Sequence, residues 1–175
     1  MDVVAEQLGG DFEVKFLPVY ACKEADELGV DVAPAIAVNR RIIKEGVPTK
    51  EEILDLIERA RPIKLGIVLT KTPFGSEDAE NALEAGRQAL LAGDAASLFL
   101  LSDGVWLAKR GKADPLESKL ADFIEMGGEV AVSGEHLKAA GLGPDLLVGK
   151  VIVAEDGLGS LVDLAMDDWD KAIIF

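Results

Sequence analysis

The chain has 175 residues, 49% of them apolar, and a formal net charge of −14 at neutral pH, an acid excess that excludes phosphate backbones and anionic membranes as partners at an apolar content too high for disorder. A lone cysteine, Cys22, and a lone histidine, His136, exclude an internal disulfide and leave a Cys/His zinc site short of ligands, so no metal and no cofactor is expected. No apolar run nears the roughly 20 residues that cross a bilayer and the first residues lack a signal-peptide pattern, so the protein is expected in the cytoplasm.

In chain order, the pattern predicts the end of a helix over 1–8, a strand over 13–19, a helix over 22–29, strands over 35–39 and 41–44, and a helix over 49–60. The last has Ile53, Leu54, Ile57 and Ala60 at the spacing of one buried face, and Thr49 with Glu52 offers a capping box at its start. Arg61-Pro62 then ends the helix, because the residue before proline is pushed out of the α region. The boundary between two small α/β units is placed there, with 1–61 before it and 63–175 after it. The acid excess is shared by both sides, so neither reads as a charged tail.

After the boundary come a strand over 64–70, a helix over 76–92, a strand over 96–101 and a helical turn near 103–110. A helix over 115–126, a strand over 129–132, a short helix over 134–141, a strand over 149–153, a helix over 158–168 and a strand over 171–175 complete the chain. LGIVL, ASLFLL and KAIIF are short, nearly continuous apolar runs, which suits parallel strands covered on both faces. The fold class is α/β, with a doubly wound, mostly parallel sheet of about five strands. Helix 76–92 carries Ala79, Ala82, Ala85, Gly86 and Ala89, small residues that let it lie close to a sheet or another subunit.

KLGIVLTKTPFGSEDAENALEAGRQAL, LFLLSDGVWLAKRG, VAVSGEHLKAAGL and the closing DKAIIF, in this order and spacing, resemble the DsrE/DsrF-like sulfur-relay family over 63–175. The resemblance implies a small α/β protein that assembles as a homotrimer or homohexamer. It also implies persulfide transfer through a cysteine in the loop after the strand matched by EVAV. That position is Ser133, and a serine hydroxyl lacks the acidity and soft nucleophilicity for sulfur relay. Ser133 and His136 could form a residual hydrolytic pair, although no acid is visibly placed to orient the imidazole. The alternative is that Ser133 caps helix 134–141 while His136 faces solvent or an interface.

VDVAPAIAVNRRIIKEGVPTKEEILDLI resembles the later part of a small thioredoxin-like domain. The resemblance makes Pro34 a cis-proline candidate and sets Asn39-Arg40 in a hairpin turn. The family's first strand and C-x-x-C motif are absent, and in that fold the missing strand lies mid-sheet, so residues 1–61 read as a partial domain with two facing open edges. Another segment or subunit fills the gap, the strands pair differently, or Met1 is internal to a longer protein.

The other candidates come with competing roles. Cys22, the only thiol, opens a helix whose dipole could activate it, but Glu24, Asp26 and Glu27 oppose that, and a packing role is the alternative. The loop TKTPFGSEDAEN lacks a phosphate-loop pattern, and Ser76 is read as the N-cap of the following helix. By resemblance Pro73, Phe74, Gly75 and Trp106 line the family's cleft, with subunit contact or core packing both open for Trp106. Asp163, Asp167, Asp168 and Asp170 read as a solvated acidic face, and Gly157 and Gly159 as a turn without a dinucleotide fingerprint.

Three functions follow. The first is a protein of sulfur-relay or thiol-redox metabolism acting through contacts with sulfur-carrier or thiol-redox proteins. The second is a non-catalytic assembly or regulatory subunit, and the third a truncated thioredoxin-like thiol oxidoreductase. Whether the chain is an enzyme stays open at this stage.

Overall fold

A computed structural model describes residues 23, 35–38, 41–46, 49, 51–52, 55, 61–111 and 115–175. The chain divides into two compact units, Met1–Arg61 and Pro62–Phe175. In the first, strands β1 (Ala35–Val38) and β2 (Arg41–Glu45) pair antiparallel, with Val38 opposite Arg41 and a register shift between Ile36 and Ala37. The capping box is present: the Thr49 N–H donates to Glu52 Oε2 at 2.8 Å, and the Glu52 N–H donates to Thr49 Oγ1 at 3.2 Å. The strand expected at 13–19, the turn at Asn39-Arg40, Cys22 and Pro34 lie outside the described residues.

The second unit is built on five parallel strands: β3 (Lys64–Leu69), β4 (Ala95–Leu100), β5 (Glu129–Ser133), β6 (Val151–Ala154) and β7 (Lys171–Ile174). Their order across the sheet is β6-β5-β4-β3-β7. The helices are α1 (Asp78–Leu91), α2 (Pro115–Glu125), α3 (Gly134–Ala139) and α4 (Gly157–Asp163), the last running on as a π turn over Leu164–Asp168. A 3-10 helix, Ser102–Ala108, follows β4. The expected helix over 158–168 is thus α-helical only in its first half.

Side chains of successive strand residues point to opposite faces, which divides the core in two. Ile67, Leu69, Leu98, Leu100, Val130 and Val132 face α1, α2, α3 and the 3-10 helix, which contribute Ala79, Ala82, Leu83, Leu107, Leu120, Phe123 and Leu137. On the other face Val68, Phe99 and Leu101 meet Trp169, with Leu161 and Leu164 of α4 and its π turn against them. The small-residue face of α1 is used here: a β-carbon at Gly86 would collide with the Phe123 ring, so α1 and α2 close on each other only because glycine stands there.

At the N-terminal ends of the strands, Lys64 ties the sheet to the turn after α4. Its Nζ lies 2.8 Å from Glu129 and 2.7 Å from Asp168, and its backbone N–H donates to Asp170 Oδ2 at 2.7 Å. Burial pulls the Lys64 ammonium down, but hydrogen bonds to Asp168 and Glu129 and their charge outweigh it and hold the group above its ordinary value. Asp168 and Asp170 are therefore structural anchors. Of the expected acidic face, Asp163 and Asp167 are left facing water with neither an ion pair nor a side-chain hydrogen bond among the described residues.

Candidate functional site

In open parallel sheets, ligands and reacting groups gather beyond the carboxyl ends of the strands, where loops leave in different directions. Here that end carries Thr70–Ser76 after β3, Ser102 and Asp103 after β4, Ser133–His136 after β5 and Glu155–Gly157 after β6. The order of the sheet reverses at β3, between β4 and β7.

Ser133 is both the last residue of β5 and the N-cap of α3, so strand passes into helix without a loop. Its hydroxyl accepts from the His136 backbone N–H at 3.4 Å and lies 2.8 Å from His136 Nδ1. The cap and the serine–imidazole hydrogen bond are thus made by the same hydroxyl. Which of the two groups donates in that contact is set by the ring tautomer. Ser133 is fully buried. Two glycines make that possible: a β-carbon at Gly134 would stand 3.0 Å from the Ala154 carbonyl oxygen, and one at Gly157 would run into Ser133 Oγ. Gly157 is therefore the first residue of α4, held against the serine, and the helix is capped by Asp156, which accepts from the Gly159 N–H at 2.9 Å.

The pair does not extend to a triad. Among the described residues His136 has no carboxylate partner, and Glu135 is exposed on the next position of the helix. A nucleophilic serine needs a base that is itself oriented by an acid, and it needs access to substrate. Ser133 has the first neighbour and lacks the other two conditions.

The loop after β3 corrects one expectation. α1 begins at Asp78 with Glu77 as its cap and no side-chain cap bond, while the Ser76 hydroxyl donates to the Thr72 carbonyl at 3.2 Å and closes the loop on itself. Gly75, at φ 77°, provides the left-handed bend that this closure needs, and Asp78 and Glu80 supply the acids in the first turn that the helix dipole favours. Pro73 is buried and Phe74 is half exposed. After β4, Ser102 adopts φ 47°, a left-handed conformation rare for a residue with a side chain. It lets Gly104 settle on the Leu69 carbonyl, where a β-carbon would not fit. Trp106 is half buried against the main core, with Lys109 Nζ 5.3 Å from its ring centroid.

A groove of about 520 Å3 lies between α1 and α2 and is lined by Glu80, Glu84, Arg87, Lys119, Asp122 and Phe123 among others. Apart from Asp122, its charges are paired with one another. Glu80 pairs with Lys119, and hydrogen bonds from Arg87 and Gln88 hold the Glu84 carboxyl down at about 2. Among the described residues no three His, Cys, Asp or Glu side chains form a metal-binding group, and no helix is long and apolar enough to cross a membrane.

The fold is an α/β fold with an all-parallel five-stranded sheet, and it is shared with solved structures. The ychN protein of E. coli superposes with a TM-score of 0.55 at 23% identity, over 65% of this chain and 99% of that one. A protein of unknown function from Methanobacterium thermoautotrophicum, MTH1491, gives a TM-score of 0.55 at 18% identity over the same shares. Residues 64–175 match the DsrE/DsrF-like family, and the chain belongs to it. Two archaeal relatives are similar in sequence. The uncharacterized protein MJ0989 of Methanocaldococcus jannaschii is 36% identical over 91 residues, which is 49% of this chain and 79% of that protein. The uncharacterized protein MK0008 of Methanopyrus kandleri is 36% identical over 93 residues, 50% of this chain and 76% of that protein.

Proposed function

We propose that this protein serves sulfur or thiol-redox metabolism through contacts with other proteins and copies of itself, without carrying sulfur at position 133. The observation that carries the reading is the state of Ser133. It stands at the end of β5, where the resemblance places the sulfur-carrying cysteine, and it is a fully buried hydroxyl engaged in capping α3 and in a 2.8 Å bond to His136 Nδ1. Sulfane transfer requires a thiolate that attacks a donor sulfur and later releases it. The serine keeps the local architecture and removes that chemistry, which favours an assembly or regulatory role beside active partners.

The test is exposure of the full chain to a glutathione persulfide donor, read by intact-mass spectrometry. The parent chain should gain little stable sulfur. Rapid stoichiometric gain of one sulfur that the Cys22→Ser substitution abolishes would overturn the non-carrier reading.

A further inference from the structure

The two faces of the sheet in Pro62–Phe175 are covered unequally. Three helices and the 3-10 helix lie on the first face, while α4, its π turn and Trp169 cover the second. Register shows what a single helix leaves bare. Val68 lies opposite both Phe99 and Ile174, Phe99 opposite Ala131, and Ala131 opposite Ile152, so five side chains form one row on the second face. The row is buried at Val68 and Phe99, but its ends are open, with Ile152 63% and Ile174 71% exposed. α4 turns Leu161 and Leu164 toward the buried part of this face, and it is apolar on its outer side as well. Leu158, Val162 and Met166 follow at intervals of four, and Met166 is 77% exposed. A step of four overshoots one α-helical turn, and the wider π turn, closed by the Trp169 N–H on the Leu164 carbonyl at 2.8 Å, takes up part of that drift and keeps Met166 near the line of the other two. Exposed apolar area of this kind, rimmed by charge, marks an interface.

Charge states what fits it. From Lys150 to Lys171 the chain holds six acids and only those two bases. Four of the acids are engaged: Glu155 pairs with Lys138, Asp156 caps α4, Asp168 pairs with Lys64, and Asp170 accepts the Lys64 backbone N–H. Asp163 and Asp167 follow Val162 and Met166 by one residue, so an acidic row runs beside the apolar one. Among the described residues these two carboxylates have neither an ion pair nor a side-chain hydrogen bond, and Lys150 and Lys171 do not neutralise them. The complement of such a surface is a helix whose apolar side is bordered by lysine or arginine. Its apolar side chains at i, i+3, i+4 and i+7 match steps of roughly 6 Å, four residues of helical rise, between Leu158, Val162 and Met166. The aliphatic stems of its bases lie on apolar surface while their charged ends reach carboxylates.

We propose that the stripe of Leu158, Val162 and Met166, with Asp163 and Asp167 beside it, docks a basic amphipathic helix of another protein. The partner helix lies along α4, buries the three apolar side chains and supplies the cations that this chain does not. A second copy of the chain brings a net charge of −14 to the same two aspartates, so charge favours a partner of different composition. The inference rests on the reading that the protein acts through contacts with other proteins, and it states the chemistry of one such partner.

Fluorescence anisotropy at physiological ionic strength tests it, with the full chain and a labelled synthetic helix of about 18 residues that carries leucine at i, i+3, i+4 and i+7 and lysine elsewhere. The parent should bind one peptide per chain with a Kd in the micromolar range, and a scrambled peptide of the same composition, which has no apolar face, should bind about tenfold more weakly. Asp163→Lys with Asp167→Lys, and Val162→Ser with Met166→Ser, should each weaken binding about tenfold or more. Asp122→Lys with Glu125→Lys makes the same change of charge on exposed acids of α2 and should leave binding within about threefold. Circular dichroism melts confirm that each variant is folded. Should a substituted chain fail to fold, NMR titration of the parent decides, since the amide signals of Ile152 and of residues 158–168 should shift while those of α2 stay in place. Equal loss in the α2 and α4 variants, or shifts centred on α2, would show attraction to net charge alone and refute the site. A parent that does not bind the peptide would refute it too. So would sedimentation velocity in which substitution of the stripe splits an assembly of the chain, because the stripe would then belong to another copy. The persulfide experiment reports separately on sulfur carriage.

Discussion

The indole of Trp169 occupies the space into which a β-carbon on Gly66 would project. Gly66 lies within β3, beside Ser97 of β4, and Trp169 is the residue that follows the π turn. The second face of the sheet therefore closes by a large ring seated on a bare stretch of backbone. The ring is 8% exposed, and its Nε1 has no hydrogen-bond acceptor among the described residues.

Replacing Gly66 with alanine should be disproportionately harmful for one methyl group. Overpacking of a full core costs about 1–3 kcal/mol and more where backbone must move, and here the obstacle is a ring pinned by Val68 and Phe99. Urea unfolding should show a loss of at least about 2 kcal/mol. Trp169→Phe should be mild by comparison, since it removes a buried orphan donor that itself costs about 1–3 kcal/mol. A Gly66→Ala chain as stable as the parent would mean the indole is not held there.

Position 133 can be tested by restoring a thiol. In a Cys22→Ser background, Ser133→Cys would set a sulfur beside His136 Nδ1, a neighbour that favours the thiolate. Because the position is fully buried, that chain should take up sulfur from a persulfide donor only slowly in the folded state, while the background chain takes up none. Ser133→Ala should instead lose the helix cap and destabilise by about 1 kcal/mol. If the thiol variant gains no sulfur in the folded state, the burial of this position, and not its chemistry alone, forbids the reaction.

Lys64 makes stability sensitive to alkali. Its folded value is raised above the ordinary 10.5, so the folded state binds this proton more tightly than the unfolded chain does. The contribution is complete below 10.5 and is lost as pH climbs through the higher folded value. Thermal melts should show a fall in Tm on that alkaline side, and Lys64→Met should remove the step together with about 1 kcal/mol at neutral pH. An unchanged alkaline profile in Lys64→Met would show that the pairs with Glu129 and Asp168 contribute nothing.

The Glu84 carboxyl should titrate near 2, and NMR titration of its side chain can follow it. Removing the guanidinium with Arg87→Leu should return the midpoint toward the ordinary 4.5. Both side chains are about half exposed on the helix surface, so the variant should leave overall stability nearly unchanged.

Residues 62–175 expressed alone should fold cooperatively, because both hydrophobic clusters described here draw on that unit. A single thermal transition by circular dichroism is expected. A non-cooperative melt would mean that the first unit supplies part of the core.

Much of this architecture was open to sequence reading because it depends on local pattern. Runs such as LGIVL and ASLFL are continuous apolar strands only if covered on both sides, and their spacing with helical segments dictates parallel crossovers. Ser133 as a cap was legible from its place between an apolar strand and an amphipathic turn. What escaped depends on contacts distant in sequence. Nothing near Gly66 announces Trp169, about a hundred residues later, and Lys64 gives no local sign of Glu129 or Asp168. Ser76 misled for the opposite reason, since a good capping residue one position before two acids took its hydrogen bond backward to Thr72 instead. The π turn at Leu164–Asp168 also had no signal, because its sequence keeps an ordinary helical rhythm.

The sheet order has a bearing on how the chain is made. β3 is the first strand of its unit and pairs with β4 on one side, but its other partner is β7, which the ribosome delivers only after four intervening helices and three further strands. Until then one edge of β3 stands open, and the row through Val68 and Phe99 lacks the ring that seals it. A nascent chain in that state displays an unpaired strand and an apolar face together, the condition that recruits chaperones and invites aggregation. The closing of this sheet thus waits on the most C-terminal strand of the unit, and slow translation through residues 155–170 would lengthen the time the chain spends unprotected.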